Sequence, residues 1–119
     1  MSQLVAVSMM LGIAGPALAQ DTSWAVGTWK GRVEGSREQD PNRVMTIAIA
    51  GGIAKCGWGE GFRANPPPAK SCTVSATGMT LTTGANNQVE LRRSGSTLSG
   101  TFTATSGGGR TYNLTMKKE

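Results

Sequence analysis

Residues 97–117 read TLSGTFTATSGGGRTYNLTMK, and this stretch decides the fold class. On both sides of the glycine run at 107–109, apolar or small residues alternate with hydroxyl or other polar residues. A period of two is typical of half-buried antiparallel strands, because successive side chains point to opposite faces. The glycines predict a turn between the two runs, so the stretch indicates a β-hairpin.

The same alternation recurs upstream and gives about eight strands, spaced at roughly 8–12 residues and joined by short turns. Short turns predict an all-β, antiparallel up-and-down meander that closes into a small barrel and leaves no free edges. An open sheet or a small sandwich is the alternative. Glycines inside strands, at 27, 31 and 100, suit barrel closure. The predicted inward set is bulky: Trp29, Met45, Ile47, Ile49, Val74, Met79, Leu81, Leu91, Phe102, Tyr112, Leu114 and Met116.

Residues 1–19 are uncharged and predict a secretory signal peptide. They combine an apolar run, a Gly-Pro helix breaker and a small-x-small ending at Ala19. The run is too short to span a bilayer. We therefore expect a periplasmic or secreted protein whose mature part, residues 20–119, is a single β-barrel domain without a transmembrane segment. The first three residues, Met-Ser-Gln, lack the basic residue that usually opens a signal peptide, which leaves an upstream start or inefficient export as alternatives. A buried N-terminal helix is a further alternative.

Cys56 and Cys72 are the two cysteines of the chain. An even count in a short exported chain predicts one disulfide. It would close a loop of about 17 residues, which the chain-entropy estimate values at roughly 3 kcal/mol. A metal or redox pair is the alternative, but the spacing fits no Cys-x-x-Cys pattern and the chain has no histidine. No metal and no cofactor is predicted.

The net charge of +5, from 12 basic and 7 acidic residues, is spread along the chain. Such a scattered excess is typical of solubility, and it also favours weak attraction to anionic surfaces. Nucleic acid is not an expected partner, because aromatic residues are few and an exported protein rarely meets it.

Catalysis is poorly supported by the residue types present. Without histidine, Ser-His and Cys-His nucleophile pairs are excluded, and both cysteines are expected to be oxidised. The carboxylates show neither the spacing of a calcium loop nor a glycosidase-type pair. We predict no catalytic residues and interpret the chain as a non-enzyme.

Two features predict binding. The segment 57–70 places Trp58, Phe62 and Arg63, residue types enriched at interface hot spots, in a loop restricted by the disulfide and by the prolines. The alternative is that Trp58 and Phe62 fold back to plug one end of the barrel. The second feature is the barrel interior, which holds either side chains or one small ligand, and the bulky inward set favours a packed core.

The Gly27-Thr28-Trp29 motif on the first strand resembles that of the calycin group, which includes the lipocalins. The resemblance covers the strand pattern of residues 26–117 and implies that Trp29 closes one end of the barrel.

The size, the single disulfide and the predicted export are more similar to the small bacterial metalloprotease inhibitors of that architecture. This resemblance implies an N-terminal arm, residues 20–23 with Trp24 at its base, that enters a protease cleft. The chain departs from the inhibitors in its cysteine positions, since both follow the second strand.

Three hypotheses follow for the function. The first is an exported binding protein that engages a protein partner through the 57–70 loop or the N-terminal arm, with inhibition as one form. The second is a carrier or sensor of a small apolar ligand in a lipocalin-like barrel. The third is a structural, envelope-associated protein without a specific ligand.

Overall fold

The computed structural model describes residues 21–35, 40–105 and 108–119. A short 3-10 helix, Ser23–Ala25, precedes eight strands: β1 Gly27–Glu34, β2 Asn42–Ala50, β3 Ile53–Glu60, β4 Ser71–Val74, β5 Gly78–Thr82, β6 Gln88–Ser94, β7 Thr97–Ala104 and β8 Arg110–Lys118. The predicted signal peptide lies outside the described residues. Within them, no helix has the length and apolar character needed to cross a membrane.

All eight strands form one antiparallel sheet in the order β3-β2-β1-β8-β7-β6-β5-β4. The first and last strands of the described residues, β1 and β8, are neighbours, with Trp29 opposite Lys118 and Val33 opposite Leu114. The two ends of the sheet, β3 and β4, therefore face each other in a nearly closed barrel. The predicted all-β barrel of about eight strands is confirmed. We call the junction of β3 and β4 the seam.

The seam is closed by a covalent bond and by an irregular segment of chain. The predicted disulfide between Cys56 and Cys72 is confirmed, with Cα atoms 6.2 Å apart. Next to it, the backbone N–H of Trp58 donates to the Pro67 carbonyl at 2.9 Å, and that of Ala69 donates to the Cys56 carbonyl at 2.8 Å. Residues 67–69 of the proline-rich segment thus pair with the edge of β3 between Cys56 and Trp58, where they take the place of a strand.

The barrel interior is filled by apolar side chains. The predicted inward residues are buried except for Ile49, Val74 and Tyr112, which are half-buried. Ile49 and Val74 both line a depression at the seam, on the side of the disulfide toward Ile53. Burial of the remaining residues supplies the hydrophobic stabilisation of the fold.

Glycine lets the strands approach closely at two of the predicted positions. A β-carbon at Gly100 would overlap the carbonyl oxygen of Glu90 on β6, and one at Gly31 would overlap the carbonyl oxygen of Thr115 on β8. Any larger residue would push these neighbouring strands apart. The expected role of both glycines in barrel closure therefore has a direct steric reason.

Candidate functional site

One end of the barrel, which we call the helix end, is covered by the 3-10 helix. Trp29 is 2% exposed beneath it, and its indole Nε1–H donates to the Ala25 carbonyl at 2.8 Å. The Lys118 ammonium lies 5.6 Å from the centroid of the Trp29 ring. Trp29 therefore fills this end, with its one polar atom satisfied by the helix.

Trp24 is fixed against the same end. Its Nε1–H donates to the Ser75 carbonyl at 3.0 Å, and its ring meets that of Trp29 edge-on with centroids 6.0 Å apart. The Arg93 guanidinium lies 5.0 Å from the centroid of the Trp24 ring. Trp24 therefore anchors the chain that precedes β1, and of the predicted arm only residues 21–23 are described.

The opposite end, which we call the loop end, is filled by Trp58. Its side chain is 7% exposed, and its ring stacks on that of Phe102 with centroids 6.0 Å apart. Trp58 points inward on β3 together with Cys56. Of the two alternatives stated for the loop aromatics, Trp58 takes the position of a barrel plug.

Gly57 and Gly59 flank Trp58 and face the outside of β3, where the following loop folds back over them. A β-carbon at Gly59 would lie 2.7 Å from Cδ of Arg63 and 3.1 Å from Cβ of Pro66. A β-carbon at Gly57 would lie 3.1 Å from Cγ of Pro66. The glycines therefore make room for the segment 61–66, which we call the 61–66 loop, to pack on the strand.

Phe62 occupies the exposed part of this loop. Its side chain is 50% exposed, and the Lys30 ammonium lies 5.4 Å from the ring centroid. Gly61 turns the chain with φ +71°, and its N–H donates to the Asn42 carbonyl at 2.9 Å. Arg63 is also exposed. Phe62 and Arg63 are thus both exposed on the loop, whereas Trp58 points inward.

A cleft of about 320 Å³ lies beside the loop, and we call it the loop-end cleft. Its walls include Trp58, Phe102, Arg63 and a buried arginine, Arg43, which is 1% exposed. Nη1 of Arg43 donates to the carbonyls of residues 40 and 42 at 2.7 Å each, and its guanidinium lies 5.7 Å from the Phe102 ring centroid. The cleft combines an aromatic floor with two guanidinium groups, one buried and one exposed.

The sequence analysis missed Arg43 and Asn87, which also lines this cleft. Arg43 lies two residues before Met45, so the alternation of β2 already placed it on the inward face. Asn87 carried no comparable signal, because its turn resembles other polar turns of the chain. Its buried Oδ1 has no hydrogen-bond partner among the described residues.

Comparison of the chain with protein-family models, with curated proteins and with solved structures found no match.

Proposed function

We propose that the protein is an exported, non-catalytic binding protein that engages a protein partner through the 61–66 loop. Phe62 supplies the apolar contact and Arg63 the charged one. The observation that carries this proposal is that the Phe62 side chain is 50% exposed. It lies on a loop whose two flanks are hydrogen-bonded to the barrel. Arginine is enriched at the hot spots of protein interfaces, and aromatic residues are enriched in interface cores.

Pre-organisation of the loop supports the proposal. One flank is held by the hydrogen bond from Gly61 to Asn42, and the other by the pairing of residues 67–69 with β3. The disulfide joins the strands on which both flanks end. A loop ordered before binding loses little conformational entropy on association, so its contacts contribute more fully to affinity.

The charges around Phe62 favour an acidic partner. Arg63 is the next residue in the chain, while the Lys30 ammonium over the ring is paired with the Glu119 carboxylate at 2.9 Å. With the net charge of +5, Arg63 attracts an acidic surface and raises the association rate more than the final affinity.

The other hypotheses receive less support. The packed interior leaves little room for a lipocalin-like carrier of an apolar ligand, although the place of Trp29 beneath the helix supports kinship with that group. The anchoring of Trp24 favours the loop over the N-terminal arm as the contact surface. Export itself rests on the signal-like residues 1–19, and the disulfide adds weak support for an oxidising compartment.

A photo-crosslinking amino acid tests the proposal in the cells that naturally produce the protein. We expect the probe at position 62 to give a discrete crosslinked product, and Arg63→Glu in the same chain to reduce its yield several-fold. The same probe at Ser99, exposed on β7, serves as the control and gives no product. Equal product patterns at the two positions, or none at position 62, would show that the loop is not a binding surface.

A further inference from the structure

The loop-end cleft lies at the mouth of the barrel, between two segments that are far apart in the chain. The end of β3 and Arg63 form one side, and the turn from Thr83 to Asn87, which joins β5 to β6, contributes the other. Its volume of about 320 Å³ is at the lower end of the range for small-molecule sites, and barrel mouths are a frequent location of such sites. The cleft therefore has room for one small molecule.

Asn87 contributes an unused acceptor to the wall of this cleft. Its Oδ1 is buried and has no hydrogen-bond partner among the described residues. Buried polar atoms of native proteins are rarely left in this state, because such an atom has lost its hydration without gaining a bond in return. An amide oxygen accepts and does not donate, so the missing partner is an N–H or O–H donor. Either an occupant of the cleft or a bound water supplies it.

The hydrogen bonds of the turn hold Asn87 in place. Its backbone N–H donates to Oγ1 of Thr83 at 3.0 Å, and its carbonyl accepts from the Thr83 N–H at 2.9 Å. The neighbouring Asn86 accepts at its side chain from Nζ of Lys70 and at its carbonyl from the Thr105 hydroxyl. These bonds do not use the Asn87 side chain. The turn therefore positions the Asn87 amide and leaves its oxygen available to an occupant.

Two aromatic side chains form another part of the wall. Trp58 and Phe102 both line the cleft and are 7% and 4% exposed, so they are held rigidly by the barrel around them. Pro67 adds a further apolar surface. Small-molecule sites are typically lined by apolar and aromatic side chains with a few polar groups that fix the orientation of the ligand. A flat aromatic molecule matches the rings, and the Asn87 oxygen supplies the orienting contact.

The charges of the cleft favour an uncharged occupant. Groups of both signs line it, namely the guanidinium groups of Arg43 and Arg63 and the carboxylate of Glu60. Nη1 of Arg43 is already bonded to two backbone carbonyls. An ionised molecule would meet a like charge in the wall whichever sign it carried, and it would also lose hydration on entering. A neutral molecule avoids both costs.

We propose that the loop-end cleft binds a small, uncharged aromatic molecule of the indole or phenol class, whose ring contacts Trp58 and Phe102 and whose single N–H or O–H donates to Oδ1 of Asn87. Phe62, the residue that carries the proposed protein contact, does not line this cleft. The small-molecule site is therefore a second binding function and does not depend on the first.

NMR titrations of the oxidised full chain compare indole with benzofuran, which has nearly the same shape but a ring oxygen in place of the N–H. We expect indole to shift the amide signals of Gly59 and Asn87, and to bind roughly three- to tenfold more tightly than benzofuran, as one net hydrogen bond implies. Indole-3-carboxylate is expected to bind more weakly than indole. Equal affinities of indole and benzofuran would assign the partner of Asn87 to water and overturn the proposal, as would no shift at Asn87 or tighter binding of the carboxylate.

Asn87→Leu removes the acceptor at nearly constant size and keeps the backbone bonds of the turn. We expect it to lower the affinity for indole to that for benzofuran, and Asn87→Ala serves if the leucine variant fails to fold. Asn113→Leu makes the same change at an exposed position of β8 and is expected to keep the preference for indole. A preference that survives in the Asn87 variants, or that disappears in Asn113→Leu, would overturn the site. Crosslinking at position 62 does not involve Asn87, so the two proposals fail separately.

Discussion

The rings of Trp58 and Phe102 stack across the barrel interior, with centroids 6.0 Å apart and planes inclined by 14°. The two residues belong to β3 and β7, which are not neighbours in the sheet. The contact therefore joins opposite walls of the barrel at its loop end. Phe62, four residues after Trp58, lies outside the barrel, so the two aromatic residues of one segment have different roles.

Replacement of Trp58 by alanine is expected to destabilise the protein strongly. The change removes a 7% exposed side chain and its stacking on Phe102, and large-to-small changes of this kind cost about 3–5 kcal/mol. Urea unfolding of the oxidised protein measures the loss. Phe62→Ala is the control, and we expect it to change stability by about 0.5 kcal/mol or less, as at other exposed positions. Similar losses in both variants would contradict this division of roles.

A single methyl group at Gly100 is expected to be costly. The new β-carbon would overlap the Glu90 carbonyl, so β6 and β7 must separate, and overpacking of this kind costs about 1–3 kcal/mol. Gly84→Ala is the matched control, because the nearest atom to its β-carbon would be the Pro68 carbonyl oxygen at an ordinary 3.9 Å. Thermal unfolding compares the two variants, and equal midpoints would refute the steric account of Gly100.

Loss of the disulfide is expected to lower the free energy of unfolding by roughly 3 kcal/mol. The double variant Cys56→Ala, Cys72→Ala leaves the seam with only the hydrogen bonds of residues 67–69, so we also expect faster proteolysis within the 61–66 loop. Reduced wild-type protein is the control and is expected to unfold at the same urea concentration as the double variant. Unchanged stability and unchanged cleavage would show that the hydrogen bonds alone close the seam.

Asp21 is expected to titrate at low pH. The Ser23 hydroxyl donates to Oδ1 of Asp21 at 2.6 Å and the Ser23 N–H donates at 3.0 Å, and these bonds lower the pKa of the carboxyl below its ordinary value of 3.8. Because the folded-state pKa is the lower one, the carboxylate stabilises the helical turn above pH 3.8, and this contribution is lost as pH falls through the folded pKa.

Carbonyl NMR of Asp21 measures this titration directly. Ser23→Ala is expected to return the pKa toward its ordinary value, because the hydroxyl bond is the largest cause of the shift. Ser96→Ala, at an exposed turn, is the control and is expected to leave the Asp21 pKa unchanged. A titration of Asp21 that is identical in wild type and Ser23→Ala would exclude the hydroxyl as the cause.

The alternation of residue types was enough to predict the strands, the barrel and most of the core. The same alternation, continued back from Met45 by two residues, also gives the inward position of Arg43. Local periodicity could not place the seam, since the pairing of β1 with β8 depends on contacts between the two ends of the chain.

The loop residues were harder to predict for a local reason. Phe62 lies an even number of positions after Trp58, so unbroken alternation would have turned both side chains inward. Gly61 interrupts the strand with φ +71° and directs Phe62 to the surface. Residue types do not show which glycine adopts a positive φ and ends the strand. Gly57 and Gly59, in the same segment, continue it.

The position of β8 in the sheet has a consequence for how the chain acquires its structure. β8, the last described strand, lies between β1 and β7, and it joins the three-stranded meander β1–β3 to the four-stranded meander β4–β7. Neither meander can complete the barrel until residues 110–118 are in place, so closure depends on contacts of high sequence separation, which are slow to form. Residues 110–118 are therefore the segment on which closure of the barrel depends, whichever meander forms first.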